Sequence, residues 1–226
     1  MCLTSQTPST SLTSKAAFTP FFESPMLDRA ATALIKPAVH GLAAVLFRAG
    51  VTANQITVAG FLIGLFAAFS IAGGAYLTGA TALFASRLLD ALDGAVARMT
   101  QATDQGGFLD IALDFLFYAS IPLAFAVANP LTNALPAAVL LAAFIGTATS
   151  FLAFAAIAAK RGLTNLDYPD KSFYFLGGLT EATETLVFFA AMCLWPQHFP
   201  LLAYVFAALC AVTIATRLWW GWRAFA

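Results

Sequence analysis

Gln55-Ile-Thr-Val-Ala-Gly-Phe-Leu-Ile-Gly-Leu-Phe-Ala-Ala-Phe-Ser-Ile-Ala-Gly-Gly74 contains no Asp, Glu, Lys or Arg. At about 1.5 Å per residue, a helix of this length crosses the roughly 30 Å hydrocarbon core of a bilayer. Just upstream, Thr52 and Gln55 form a helix-start pair of the S/T-x-x-E/Q type. Working outward, apolar length and Gly, Pro and polar breaks predict five more spans, near 77–98, 107–128, 135–158, 177–195 and 199–219. The expected fold is an all-α membrane protein of six transmembrane helices, with Pro122 a kink and Pro136 a helix start.

Composition agrees. Hydrophobic residues make up 61% of the 226 and charged residues only 10%, against about a quarter charged in ordinary soluble domains. Lys plus Arg and Asp plus Glu both number 11, which points away from a nucleic-acid partner. Cys2, Cys193 and Cys210 are too scattered for a disulfide or zinc framework. Cys2 also has no apolar run before it, so it is not expected to be a lipobox cysteine.

Two segments precede the spans. Residues 1–25, rich in Ser, Thr and Pro, are expected to be a disordered tail, and Met26 offers a second start of translation. The domain proper is residues 26–226. From Met26 to about Phe47, apolar residues recur at helical spacing among Asp28, Arg29, Lys36 and Arg48. That segment is too polar to span and is expected to lie at the membrane surface as an amphipathic helix, kinked or interrupted at Pro37.

Charge sets the orientation. Lys15, Arg29, Lys36 and Arg48 precede the first span. Arg87 and Arg98 lie in the inner half and at the exit of the second, Lys160, Arg161 and Lys171 between the fourth and fifth, and Arg217 and Arg223 at the end of the sixth. The loops on the other side, near 72–76, 129–136 and 196–200, have no Lys or Arg. The positive-inside rule puts both termini in the cytoplasm. Trp219, Trp220 and Trp222 beside Arg223 read as an interfacial anchor.

The second span is weak by hydropathy because Arg87, Asp90 and Asp93 interrupt it. Each charge near a helix centre costs about 2.5–3.5 kcal/mol on insertion scales, so these residues need a polar interior and partners. Arg87, Asp90, Asp93, Gly94 and Ala97 recur at three- and four-residue steps and share one helix face. Asp110 and Asp114 share a face at the start of the third span. A short loop, residues 99–105, makes the two helices antiparallel neighbours and brings four carboxylates to one depth. In such a cluster either the carboxylate pKa values rise or cations compensate, and carboxylate oxygens suit Mg²⁺, Mn²⁺ or Ca²⁺. Two ions some 4 Å apart would clamp a diphosphate and stabilise a leaving group. Gly94, Ala97 and Gly106 leave space for a flat nucleotide to approach the backbone.

The stretch Asp90-Ala-Leu-Asp93-Gly94-Ala-Val-Ala97-Arg98, seven residues, then Gly106-Gly-Phe-Leu-Asp110-Ile-Ala-Leu-Asp114 resembles the signature of the CDP-alcohol phosphotransferase family, D-x-x-D-G-x-x-A-R followed by G-x-x-x-D-x-x-x-D. Gly50-Val-Thr-Ala53-Asn54-Gln-Ile-Thr57 is similar to that family's entry to the first span, with Ala53 in place of the usual proline. The resemblance covers roughly residues 26–219. It implies that Asp90, Asp93 and Asp110 hold two divalent metals, Mg²⁺ or Mn²⁺, with Asp114 touching one of them. It makes Asp114 the general base that takes the acceptor's hydroxyl proton. It assigns Gly94, Ala97 and Gly106, with Asn54 and Thr57, to the nucleotide. It also implies a homodimer, a CDP-linked lipid donor, CMP as product and a place in phospholipid synthesis.

The acceptor pocket is less defined. Arg87 is either a phosphate or headgroup contact or an internal counter-ion for Asp90; both readings stay open. Arg98 is either a substrate contact or a partner for the acids. Glu181 caps the fifth span, whereas Glu184 lies one turn deeper and is a functional candidate. The stretch 177–185 resembles one bacterial subgroup of the family, so a bacterial inner membrane is expected. With Lys160, Arg161 and Lys171, these acids are expected to line the acceptor pocket. The basic loop leans toward a phosphorylated small alcohol such as glycerol 3-phosphate accepting from CDP-diacylglycerol, with inositol-type and amino-alcohol acceptors left open. The reverse arrangement, CDP-alcohol with diacylglycerol, uses the same signature. A cation or proton transporter is the rival from another class, but it would distribute acids through the membrane depth. Thr147, Thr149 and Ser150 are expected to hydrogen-bond within the bundle, Asp104 to be a solvated acid, and His40 and His198 to be ordinary interfacial residues.

Overall fold

The computed structural model describes residues 26–100, 103–162 and 182–226, with side chains described from Pro37 onward. The tail 1–25, Lys171, Glu181 and the stretch 177–180 lie outside these residues. Seven α-helices follow in order: α1 Met26–Arg48, α2 Ala53–Ala72, α3 Tyr76–Met99, α4 Asp104–Ala128, α5 Pro130–Lys160, α6 Ala182–Leu194 and α7 Phe199–Phe225, with a 3₁₀ turn at Pro196–His198 before α7. No strand occurs among the described residues.

Four stretches, Ala53–Ala72, Asp104–Ala128, Pro130–Lys160 and Pro196–Phe225, are long and apolar enough to cross a membrane, and the protein is an integral membrane protein. Helix α3 is long enough but carries Arg87, Asp90, Asp93 and Arg98, the weakness its sequence foretells. Only 13 residues of α6 are described, too few to span. The described helices thus supply four of the six expected crossings by this criterion.

Helix ends follow their local chemistry. Gly50, at φ 77°, takes the left-handed conformation that closes α1. Thr52 then opens α2 with a reciprocal capping box: its hydroxyl accepts from the Gln55 amide (3.4 Å), and its own amide donates to Gln55 Oε1 (3.0 Å). This box fixes the entry to α2 although Ala53 replaces a proline. Helix α1 continues through Pro37 without the interruption that is one of the two expected outcomes there. A proline removes one amide donor, and the flanking turns still close. The start of α5 also differs. Pro130 occupies its first turn, where a missing amide proton costs nothing, and Pro136 lies buried inside the helix. Asn133, buried in the first turn of α5, donates to the Phe125 carbonyl (2.9 Å) and ties α5 to the end of α4.

Helix α2 packs against both α3 and α4, so the two acid-bearing helices meet across α2 rather than as the closely packed neighbours their short loop suggests; α5 joins α4 to α7, and α1 lies along α3. The α2–α3 contact is close because small residues line it. A methyl group on Gly60 would sit 3.2 Å from Leu89 Cβ, and one on Gly64 would sit 2.5 Å from Phe117 Cδ2 and 3.0 Å from Ser86 Oγ. In lipid, such close backbone approach replaces the hydrophobic drive as the source of helix association. Aromatic pairs fill the end of the bundle remote from the acids, with Phe125 stacked on Phe199 at 4.5 Å and on Tyr76 at 5.8 Å. Val39 and Ala43 of α1 bury against Ile56, Leu92, Ala95 and Val96. Thr147, Thr149 and Ser150 turn back on carbonyls of their own helix, three or four residues earlier, so they do not bridge helices through their hydroxyls.

Gly64→Ala is expected to destabilise the protein by about 1–3 kcal/mol, because Phe117 is fully buried and its ring cannot retreat. Thermal unfolding in detergent measures this. An unchanged midpoint would show that α2 and α4 separate at little cost.

Candidate active site

Asp90 and Asp93 of α3 and Asp110 and Asp114 of α4 all line one pocket. Thr57, Gly60 and Phe61 of α2 form its other wall, with Arg87 and Leu113 completing the lining. Helix geometry places the acids there: a three-residue step on α3 and a four-residue step on α4 keep each pair on one face. Thr103 caps α4 by accepting from the Gly106 amide (3.1 Å), which sets where Asp110 and Asp114 fall.

Asp90, Asp110 and Asp114 each offer an oxygen, and the three oxygens lie within 4.8 Å of one another. Asp93 is 5% exposed, and its Oδ2 has no hydrogen-bond partner among the described residues. The Thr57 hydroxyl faces the Asp93 carboxylate while donating to the Ala53 carbonyl (3.0 Å). A buried carboxylate oxygen without a donor is costly unless a cation meets it. Mg–O bonds of about 2.0–2.1 Å give an ion a reach of about 4.2 Å between opposite ligands, close to the spread of the three oxygens. The donors are all hard oxygens, which suits Mg²⁺ or Mn²⁺. The residues fit a divalent metal centre.

Arg87 is the cation inside this cluster. Its Nη1 lies 2.7 Å from Asp114 Oδ1 and 3.6 Å from Asp90 Oδ1. The guanidinium lies over the Phe117 ring at 4.0 Å, and Nη2 donates to Ser86 Oγ (3.4 Å). Ser86 in turn donates to the Gly60 carbonyl (2.8 Å). These supports were not foreseen from sequence. The Gly60-x-x-x-Gly64 spacing is the signal that could have found the α2 side of this packing.

The remaining candidates fall in several places. A methyl group on Gly106 would sit 3.1 Å from Asn54 Oδ1, so these two expected nucleotide contacts are neighbours. Gly94 is half-buried, and Arg98 folds back toward it, 3.4 Å from where a methyl group would stand. Ala97 is half-buried on the same helix, and Asp104 is exposed in the first turn of α4. Lys160 ends α5. Arg161 donates to the Phe225 carbonyl (2.7 Å) and lies over that ring at 5.2 Å, joining the ends of α5 and α7. Glu184 is half-buried in the first described turn of α6. Trp222 is 81% exposed, and Arg223 lies over Trp219 at 4.5 Å, an arrangement suited to a membrane boundary.

An acidic pocket built of hard-oxygen ligands between packed membrane helices is what the signature implies, and residues 50–219 match the family model described as CDP-alcohol phosphatidyltransferase. The chain belongs to that family and is a membrane-bound transferase of substituted phosphate groups. Among individual relatives, it is 51% identical over 197 residues to inner membrane protein YnjF of Escherichia coli, covering 87% of this chain and 96% of that one. Shorter matches join it to archaetidylinositol phosphate synthases. That of Methanothermobacter thermautotrophicus is 47% identical over 70 residues, 30% of this chain and 36% of the synthase. That of Pyrococcus horikoshii is 39% identical over 88 residues, 38% and 47% of the two chains. The fold is that of Mycobacterium tuberculosis phosphatidylinositol phosphate synthase. Its complex with manganese and citrate aligns at TM-score 0.64 and 21% identity over 81% of this chain and 88% of the other. Its structure with CDP-DAG bound aligns at TM-score 0.61 and 22% identity over 81% and 93%.

Proposed function

We propose that this enzyme transfers a phosphatidyl group from CDP-diacylglycerol to a small phosphorylated alcohol, releasing CMP, in phospholipid synthesis. One observation carries the reading: carboxylate oxygens of Asp90, Asp110 and Asp114 converge within 4.8 Å in a pocket lined also by Asp93, one oxygen of which has no partner among the described residues. Two divalent ions held by Asp90, Asp93, Asp110 and Asp114 would neutralise the donor's diphosphate and the charge on departing CMP. Asp114 takes the proton of the acceptor hydroxyl, whose oxygen then bonds to the phosphorus distal to cytidine. The bond from that phosphorus to the bridging oxygen breaks, and CMP leaves with the electron pair. Gly94, Ala97, Gly106, Asn54 and Thr57 shape the cytidylate seat. Arg98, Lys160, Arg161, Lys171, Glu181 and Glu184 are assigned to the acceptor side.

In this reading the chain makes six crossings, with α1 amphipathic at the cytoplasmic surface and α3 and α6 completing the bundle. Both termini and the acids face the cytoplasm, in a bacterial inner membrane, and the working form is a homodimer. The names of the inositol phosphate synthases above support a CDP-linked lipid donor and a phosphorylated polyol acceptor. The test is CMP release by purified protein in liposomes containing CDP-diacylglycerol, with inositol phosphate, glycerol 3-phosphate and unphosphorylated alcohols in turn. Release with a phosphorylated alcohol is expected. Release only from a CDP-alcohol with diacylglycerol would overturn the donor assignment, and cation flux without CMP would favour a transporter.

A further inference from the structure

We propose that Arg87 is a positioning residue of the aspartate site: a permanent cation that fixes the Asp114 carboxylate and loosens the hold on divalent ions. The inference rests on the metal reading above. It takes the internal counter-ion over the phosphate or headgroup contact, because the side chain is held by α4 and by its neighbour Ser86, which is itself anchored to α2. On α4, Asp114 binds Nη1 at 2.7 Å and the Phe117 ring underlies the guanidinium at 4.0 Å. On α3, Ser86 accepts from Nη2, and the Gly60 carbonyl of α2 accepts from Ser86. The side chain is only 12% exposed. An arm that collects phosphate from solution needs freedom that this one lacks.

Two consequences follow from the placement. One oxygen of Asp114 is tethered while the residue still lines the pocket, so the base is held in one orientation relative to a substrate. A positive charge also sits against two of the carboxylates that would ligate a divalent ion. It opposes the ion at a separation where unit charges interact by kilocalories even at an effective dielectric of about 20. Removing Arg87 should therefore tighten metal binding and slow turnover together. Loss of a merely structural residue would weaken both.

The experiment titrates purified protein in detergent with Mn²⁺, reading free ion by electron paramagnetic resonance, and measures CMP release in parallel. For R87M, affinity for Mn²⁺ is expected to rise about tenfold or more, while turnover falls about 100-fold. For R87K, which keeps the charge without the planar fork, Mn²⁺ affinity is expected within about threefold of wild type, with turnover still reduced. Weaker or unchanged Mn²⁺ binding by folded R87M overturns the inference. If R87M does not fold, R87K decides, because a large change in its Mn²⁺ affinity or wild-type turnover has the same effect. A wild-type protein that binds no Mn²⁺ removes the metal reading itself, and this inference with it.

Discussion

Asp114→Asn is expected to reduce acceptor-dependent CMP release by about a thousandfold or more, with the fold intact. Asparagine matches aspartate in shape but cannot take a proton from the acceptor hydroxyl, and general-base catalysis alone is worth about 10²–10⁴ in rate. The substitution would also replace a carboxylate proposed to ligate metal with a weaker neutral group. The fold should survive because the asparagine carbonyl oxygen can still accept from Arg87, which donates to Asp114 at 2.7 Å. Arg87 keeps Asp90 as a second counter-charge at 3.6 Å. Single-turnover CMP release checks the chemistry, and thermal unfolding in the same detergent checks the fold. Near-normal turnover by the folded variant would remove Asp114 from the base role.

Stripping divalent ions with EDTA should bring CMP release to background, and Mg²⁺ or Mn²⁺ should restore it. Four carboxylates share the pocket with one guanidinium, so the protein leaves three negative charges uncompensated when all four are ionised. A diphosphate donor would add to that repulsion. Bound cations would reverse the sign of the field where a diphosphate donor is proposed to sit and where charge would develop on CMP. Asp93→Asn should raise the Mg²⁺ concentration needed for half-maximal rate, because its buried oxygen lacks a donor among the described residues. Activity that persists in EDTA after dialysis, with metal content measured at zero, would end the metal-dependent reading.

Helix class, membrane placement and the pairing of acids into two faces were legible because each depends on local periodicity. The 20-residue apolar run 55–74 reads as a span wherever it packs, and all but its two closing glycines lie on α2, Ala53–Ala72. The spacing of Asp90 to Asp93 and of Asp110 to Asp114 projects carboxylates to one side of each helix before any tertiary contact exists. Prolines were less legible. Pro37 and Pro136 punctuate a sequence, yet both lie inside continuous helices, because neighbouring turns absorb one missing amide.

Arg87 shows where local pattern ran out. Its spacing to Asp90 was visible on one helix, but its shorter contact is with Asp114, 27 residues away on another. Which carboxylate it meets depends on how far α3 and α4 slide past each other and how closely α2 lets them approach. Gly60 and Gly64 set that approach by removing side chains where Leu89, Ser86 and Phe117 press in. Sequence alone therefore determined a helical membrane enzyme with its acids at one end of the bundle. Only the tertiary structure decided which oxygens converge, which one is left without a donor and where the internal cation is clamped, since those follow from interhelical sterics that no single helix encodes.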